Sequence, residues 1–338
     1  MESEYLLSIC IPTFNRAEYL DINLKYLSQQ KDISKVQIVI ADNNSKDSTS
    51  VIVKNYKHLN IKYIKHKCNI GFQRNFESLI DISDGKFTWF MGDDDIITQN
   101  SITLVLKVLE KNSEIGFLCV DHSPYQGVSS FIESHNKDKV YKRGKELFYQ
   151  LHVYFQFLSI SIVNTLRFKQ SIVRHQNVFL QERHIFQIMD VLSNSSAYFL
   201  NQKIVLSGYM DHNIKRASYD KKNYLDNKDA SPLTMNWLDI FFRIPNMHIK
   251  HGIESFYYDD KLLSKYKKDQ DKRLILMYLS NKKNGDKEEY MNNSLKDIFT
   301  ILHFNSSRFF FLTSYLIPEK IVPLAWSTYK LFERFVKR

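Results

Sequence analysis

Apolar runs at 6–11, 36–41, 61–65, 87–91 and 115–121 alternate with stretches at 18–30, 48–56, 72–82 and 100–110 that have helical periodicity. In the first helical stretch Leu20, Leu24 and Leu27 share one face. Strands and helices alternating at this spacing require right-handed β-α-β crossovers, so the chain is expected to build an α/β domain on a mostly parallel sheet. Thr13, Asn15, Asp42 and the run Asp93-Asp94-Asp95 all stand just past strand ends. Open α/β sheets bind ligands at that carboxyl edge.

Past about residue 130 the alternation fades. A helix is expected over 180–192 and a strand over 198–206. Helices with basic outer faces are expected at 226–243, 253–266, 272–279 and 290–303. The reading divides the chain into a catalytic part, 1–215, and a helical C-terminal region, 216–338. The catalytic part splits into a ligand-binding half, 1–125, and an acceptor-side half, 126–215.

Charge follows the same division. Residues 1–130 hold 14 Lys and Arg against 16 Asp and Glu, so the whole net charge of +10 comes from the remainder. A basic C-terminal part fits an anionic partner such as a membrane surface, or else a solvated basic face. Cys10, Cys68 and Cys119 are widely spaced with no CxxC pair, which argues against a disulfide framework or a zinc site and fits a reducing compartment. The acidic start at Glu2 and Glu4 lacks the basic flank of an export signal, so the expected location is the cytoplasm. Residues 147–166 carry no Asp, Glu, Lys or Arg, but Gln150, His152, Gln156 and Asn164 make the stretch a buried segment rather than a membrane span.

No GxGxxG, GxxxxGK[ST] or GxSxG occurs, so dinucleotide, P-loop and serine-hydrolase chemistry lose their main support. What does occur is an ordered set of loop signatures. Ile11-Pro12-Thr13-Phe14-Asn15-Arg16 closes the first strand, and Asp42-Asn43-Asn44-Ser45 with Asp47 closes the second. Asn69-Ile70-Gly71-Phe72-Gln73-Arg74-Asn75 opens a helix, and Gly92-Asp93-Asp94-Asp95 closes the next long strand. Together these resemble the family 2 glycosyltransferases. Within that family the Gly-Asp-Asp-Asp form and the closing segments look like bacterial abequosyltransferase-type enzymes.

The resemblance implies a GT-A fold that binds a nucleoside-diphosphate sugar, with Mn²⁺ or Mg²⁺ as cofactor. Pro12, Thr13, Asn15, Arg16, Asp42, Asn43, Asn69, Gly71, Arg74, Asn75, Asp93 and Asp94 would then line the donor site. Asp42 would meet the nucleobase, and Arg74 would reach the base or a phosphate. Asp93 and Asp95 would be the metal-proximal carboxylates, with Asp94 also possible, and His212 would be a late ligand. The family pattern often reads Asp-x-Asp-Asp, and here Gly92 holds its first position. Inverting transfer needs a base for the acceptor hydroxyl, for which Glu182, His184 and Asp190 are candidates.

Elementary electrostatics supports the Asp cluster independently. A departing nucleoside diphosphate carries about two to three negative charges that need neutralising. Hard oxygen ligands suit Mg²⁺ or Mn²⁺, and three adjacent carboxylates without a cation repel one another. The competing reading is an Asp-rich turn in which Asp95 caps a helix. The segment 306–338 combines Phe309, Phe310, Phe311, Trp326, Tyr329, Phe332 and Phe335 with six Lys and Arg against two Glu. That composition suits a helix lying in a bilayer interface, on the inner face of the cell membrane, or one packed on the domain.

The expected function is metal-dependent, inverting glycosyl transfer to a glycan or lipid-linked acceptor in bacterial surface polysaccharide synthesis. A sugar-1-phosphate nucleotidyltransferase is the alternative, but it would need a Gly-rich basic loop after the first strand, where Pro-Thr-Phe-Asn-Arg stands. A nucleic-acid-binding protein would need basic residues around an aromatic groove, and the N-terminal part is slightly acidic.

Overall fold

The computed structural model describes residues 4–124, 137–151, 155, 157–174, 183–207, 264 and 268. The chain divides into two units, Met1–Leu233 and Thr234–Arg338, and every element named below belongs to the first. The boundary expected near 215 and the tail 306–338 lie outside the described residues. So do the helices expected from 226 to 303, apart from Ser264, which is helical; Lys268, between two of the expected helices, is helical as well.

The first unit opens as the alternation predicts: β1 (Tyr5–Thr13), α1 (Ala17–Ser28), β2 (Gln37–Asp42), α2 (Thr49–Asn55), β3 (Ile61–Lys65), α3 (Phe72–Ile82) and β4 (Gly85–Phe90). It continues through a short β5 (Ile96–Ile97), α4 (Ser101–Lys111), β6 (Phe117–Pro124), β7 (Lys139–Tyr141), α5 (Gly144–Leu151), β8 (Ser161–Asn164), α6 (Thr165–Arg174), α7 (Arg183–Ser193) and β9 (Ala197–Ser207). The nine strands form one sheet in the order β3-β2-β1-β4-β8-β6-β9-β5, with β7 pairing with β9.

Parallel pairing runs from β3 through β4, and the register sets Thr13 opposite Asp42 and Cys10 opposite Phe90. The loops after β1, β2 and β4 therefore emerge together. Strand β8 then enters antiparallel between β4 and β6, and β6 pairs in parallel with β9. Central strands covered on both faces need apolar residues throughout, and every residue of β2 is buried. At the edge, β3 keeps Lys62 and Lys65 exposed, which discourages pairing with another chain.

Helix α3 packs Phe76, Leu79 and Ile80 inward. Phe76 meets Phe90 of β4 with ring centroids 4.4 Å apart, and Phe90 meets Phe168 of α6 at 5.2 Å. These phenylalanines belong to the core. The described part of the uncharged stretch 147–166 includes the end of α5, a 3-10 turn at Leu158–Ile160, β8 and the start of α6. Ile160, Ile162 and Val163 within it are fully buried. Among the described residues no helix is long and apolar enough to cross a membrane.

Candidate active site

Two loops are stitched together at the carboxyl edge. Asn15, in the left-handed region at φ 52°, receives a hydrogen bond on its side-chain oxygen from the Lys46 amide, 2.7 Å. Its own amide donates to Ser45 Oγ at 2.8 Å. Asp47 accepts the Ala17 amide at the start of α1 (2.9 Å) and the Thr49 amide at the start of α2 (3.1 Å). One carboxylate thereby serves two helix N-termini.

The Asp cluster lies on the tight turn between β4 and β5, closed by the Asp95 amide donating to the Gly92 carbonyl at 3.2 Å. Asn23 of α1 anchors it by donating to the carbonyls of Asp95 (2.6 Å) and Gly92 (3.3 Å). The three carboxylates have different environments. Asp93 is buried, and it accepts from Thr13 Oγ1 at 2.8 Å and from Arg16 Nη1 at 2.5 Å. Burial pushes its pKa up to about 7, with Arg16 pulling the other way. Asp94 is half-buried and takes the other arm of Arg16, Nη2, at 2.8 Å. Asp95 is buried and accepts from Ser159 Oγ at 2.5 Å. Ser159 Oγ also receives the Gly92 amide at 2.8 Å.

A Cβ placed on Gly92 would stand 2.8 Å from Asp95 Oδ2 and 3.0 Å from Asp94 Oδ1. Two carboxylate oxygens thus border the small space left by a missing side chain, and an Asp at this position would crowd them. Mg²⁺ and Mn²⁺ commonly use one or two carboxylates together with substrate phosphates, and this donor set fits that pattern. Among the described residues no group of three His, Cys, Asp or Glu side chains is placed to hold a metal on its own.

Arg16 is the counter-ion of the cluster. Its guanidinium carbon lies 4.4 Å from the Tyr19 ring centroid, over the ring. Burial opposes its charge, yet Asp93 and Asp94 hold its proton more firmly than in a free arginine. Arg16 Nε is buried with no acceptor, which costs about 1–3 kcal/mol.

The remaining donor-site candidates cluster around the end of β2. Asp42 is fully buried and accepts from the Ser45 amide and the Tyr63 hydroxyl, each at 2.7 Å. Asn43 donates to Asn69 Oδ1 at 2.8 Å and accepts the Ile70 amide at 2.8 Å, while Asn69 Oδ1 also takes the Gly71 amide at 2.9 Å. Gly71 starts α3 at φ 81°, a conformation that an L side chain rarely adopts. Asn75 donates to the Ala41 carbonyl at 3.0 Å, and its own oxygen is buried without a partner. Pro12 is half-buried in β1, and Arg74 is exposed on α3.

Glu182 and His212 lie outside the described residues. His184 is buried in α7 beside Phe72 and Phe76, with ring centroids 6.2 and 5.5 Å away. Neither of its nitrogens has a partner, and burial lowers its pKa to about 4. Asp190, one helical turn and a half further on, is buried against Arg174 (2.9 Å) and Asn194. The structure therefore gathers the residues from Thr13 to Asp95 at one edge and sets Asp190 in an ion pair between helices.

Ser159, Tyr19, Asn23 and Tyr63 escaped the sequence reading. Ser159 is one of several hydroxyls in an uncharged stretch, 64 residues from the aspartate it contacts, and nothing local marks it. Asn23 could have been noticed as a polar residue on the buried face of α1, where it is 1% exposed.

The family model described as glycosyl transferase family 2 matches residues 8–166. The chain carries a glycosyl transferase family 2 domain. This family 2 domain takes in every loop at the edge described above and stops in the first residues of α6, short of α7 and β9. Abequosyltransferase RfbV of Salmonella typhimurium is 32% identical over 118 residues, covering 34% of this chain and 35% of that protein. The GalNAc(5)-diNAcBac-PP-undecaprenol beta-1,3-glucosyltransferase of Campylobacter jejuni is 30% identical over 104 residues, 30% of this chain and 33% of the relative. The chain thus spans about a third of the length of these two curated relatives. Among solved structures, S. aureus TarS 1-349 in complex with UDP-GlcNAc superposes with a TM-score of 0.56 at 16% identity, over 77% of this chain and 71% of that one. That likeness concerns the fold, which is of the GT-A type.

Proposed function

We propose that this chain transfers a glycosyl unit from a nucleoside-diphosphate sugar to a hydroxyl of a glycan or lipid-linked acceptor in bacterial surface polysaccharide synthesis. The observation that carries the reading is the turn of the family 2 domain at the sheet's carboxyl edge, where oxygens of Asp94 and Asp95 border the space beside Gly92. The names of the Salmonella and Campylobacter relatives, and a TarS structure that holds UDP-GlcNAc, support the substrate class.

In this proposal the donor's base rests among Thr13, Asn15, Asp42, Asn43 and Asn75, and its diphosphate lies over the turn. Each oxygen of Asp42 accepts one hydrogen bond, with Lys65 Nζ 3.9 Å from Oδ2, so a base N–H group would bond to this buried carboxylate as a second donor. Asn75 offers its unpartnered oxygen. Mn²⁺ or Mg²⁺, when bound, would supply charge neutralisation at the leaving diphosphate, with Asp94 and Asp95 as carboxylate ligands and His212 as a further one. Ser159 orients Asp95, and Asn23 fixes the turn that presents both aspartates.

Inversion at the anomeric carbon requires a base opposite the leaving group, and Glu182 is the proposed one. Asp190 is already paired with Arg174, and His184 is enclosed by phenylalanines. The basic, aromatic segment 306–338 is proposed to hold the enzyme on the inner face of the membrane, and its deletion should abolish co-sedimentation with anionic vesicles.

The test of the donor reading is a thermal-shift screen of UDP-, GDP-, CDP- and dTDP-sugars with and without Mn²⁺. A ligand that binds only the folded form raises the melting temperature by mass action. One nucleotide class should do so in the presence of Mn²⁺, and a flat response to all four would contradict the reading.

A further inference from the structure

We infer that Arg16 is an internal stand-in for the metal: it neutralises Asp93 and Asp94 in the free protein, and yields Asp94 when a divalent cation and a nucleoside diphosphate enter. The inference rests on the donor-site reading above and adds a competitor to it.

Three observations point this way. The two arms of Arg16 bridge two carboxylates, Nη1 to Asp93 at 2.5 Å and Nη2 to Asp94 at 2.8 Å, as a cation between them would. The Asp94 oxygen held by Arg16 is Oδ2, whereas Oδ1 is the one beside Gly92. Asp94 is therefore pulled by Arg16 on one side while facing the proposed metal position on the other. Finally, Arg16 is incompletely satisfied where it sits, because its Nε–H is buried without an acceptor. A guanidinium offers five N–H donors in a planar fork that suits phosphate oxygens as well as carboxylates. Turning toward a bound diphosphate would give Arg16 new acceptors and release Asp94.

The arrangement has a thermodynamic consequence. Metal alone must displace Arg16 from Asp94 with nothing to receive it, so metal should bind weakly by itself. Diphosphate supplies the receiving group, so metal and nucleotide should bind cooperatively, each raising the affinity for the other by the same factor. Removing Arg16 should strengthen binding of the metal alone and reduce that cooperativity.

The experiment uses the full chain and follows Mn²⁺ uptake by electron paramagnetic resonance. It is run with Mn²⁺ alone and with Mn²⁺ plus UDP, GDP, CDP or dTDP. Arg16→Gln is expected to bind Mn²⁺ alone about tenfold more tightly than wild type, with the nucleotide-dependent gain reduced by a similar factor. Should Arg16→Gln fail to fold, judged by near-ultraviolet circular dichroism, Arg16→Lys takes its place. A lysine keeps the charge but cannot bridge two carboxylates with a fork, and about a threefold tightening is expected. Wild-type uptake of Mn²⁺ with nucleotide, combined with no tightening in the folded variant, would overturn the role of Arg16 while leaving the donor reading intact. No uptake by any of these proteins with any of the four nucleotides would overturn both.

Discussion

The same four strands end in two polar networks that behave differently. At the amino ends, Ser8 Oγ donates to Gln37 Oε1 (2.7 Å) and accepts the Gly85 amide (2.9 Å). Gln37 in turn donates to Asp84 Oδ2 (2.6 Å) and accepts the Asp84 amide (3.0 Å), and Lys62 pairs with Asp84 at 2.9 Å. None of these side chains is among the buried groups without a partner. At the carboxyl ends the polar density is similar, yet Arg16 Nε, Asn23 Oδ1 and Asn75 Oδ1 are buried without partners, and so are both nitrogens of the nearby His184. A closed network ties strands together and has nothing left to offer a ligand. An open one costs stability, and a ligand can return that cost on binding. Polarity at a sheet edge therefore does not mark a site; unsatisfied polarity at the ligand-binding edge does.

The largest expected effect tests the open end. Asp95→Asn keeps the shape and the contact to Ser159 but removes a charge, and it should lower turnover at least about 100-fold, the scale of losing one charge-stabilising group. A change below about threefold in a folded variant, measured with the identified donor, would remove the reason for treating this edge as the active one. Its counterpart at the closed end is Ser8→Ala, which leaves the Gly85 amide without its acceptor. That change should cost about 1–3 kcal/mol in urea unfolding and leave nucleotide affinity unaltered. Weakened nucleotide binding there would blur the distinction between the two ends.

His184 sharpens the comparison through pH. Its folded pKa of about 4 lies below the ordinary histidine value of about 6.5, so the folded state resists protonation. Stability from this group is complete above pH 6.5 and is lost as pH falls toward 4, by on the order of 2 kcal/mol at pH 5. His184→Leu should remove that loss, measured as the difference in unfolding free energy between pH 7 and pH 5. Asp93 contributes an opposing slope of comparable size in wild type. Its pKa is raised by burial to about 7, so its contribution is complete below the ordinary aspartate value of about 3.8 and is lost as pH rises through 7. An unchanged pH dependence in His184→Leu would mean that the imidazole finds a proton acceptor in solution.

Much of the first four strands was legible because each carries its own local signal. Strand β2 carries an apolar run at 38–41 stopped by Asp42, and α3 shows helical spacing from Phe72 onward. The loop signatures at Thr13, Asp42 and Asp93 could be placed on one edge because parallel crossovers leave no other position for them. Strand β8 was not legible. Four residues inside an uncharged stretch have no period to distinguish strand from helix, and its antiparallel insertion between β4 and β6 depends on contacts far away in sequence. The inner organisation of the Asp cluster was hidden for the same reason. The sequence offered three equivalent carboxylates, and only Arg16 and Ser159, from 77 and 64 residues away, divide them into a counter-ion pair and a separately held Asp95.

The central claim is that the turn after β4 binds a divalent cation together with a nucleoside diphosphate. A crystal grown with Mn²⁺ and the nucleotide chosen by the thermal-shift screen, with data collected at the manganese absorption edge, locates the metal directly. The account predicts an anomalous peak within about 2.2 Å of a carboxylate oxygen of Asp95, beside Gly92, and in contact with a phosphate oxygen. Bound nucleotide with the peak elsewhere, or with no peak and all three aspartates still turned to Arg16, Thr13 and Ser159, would contradict it.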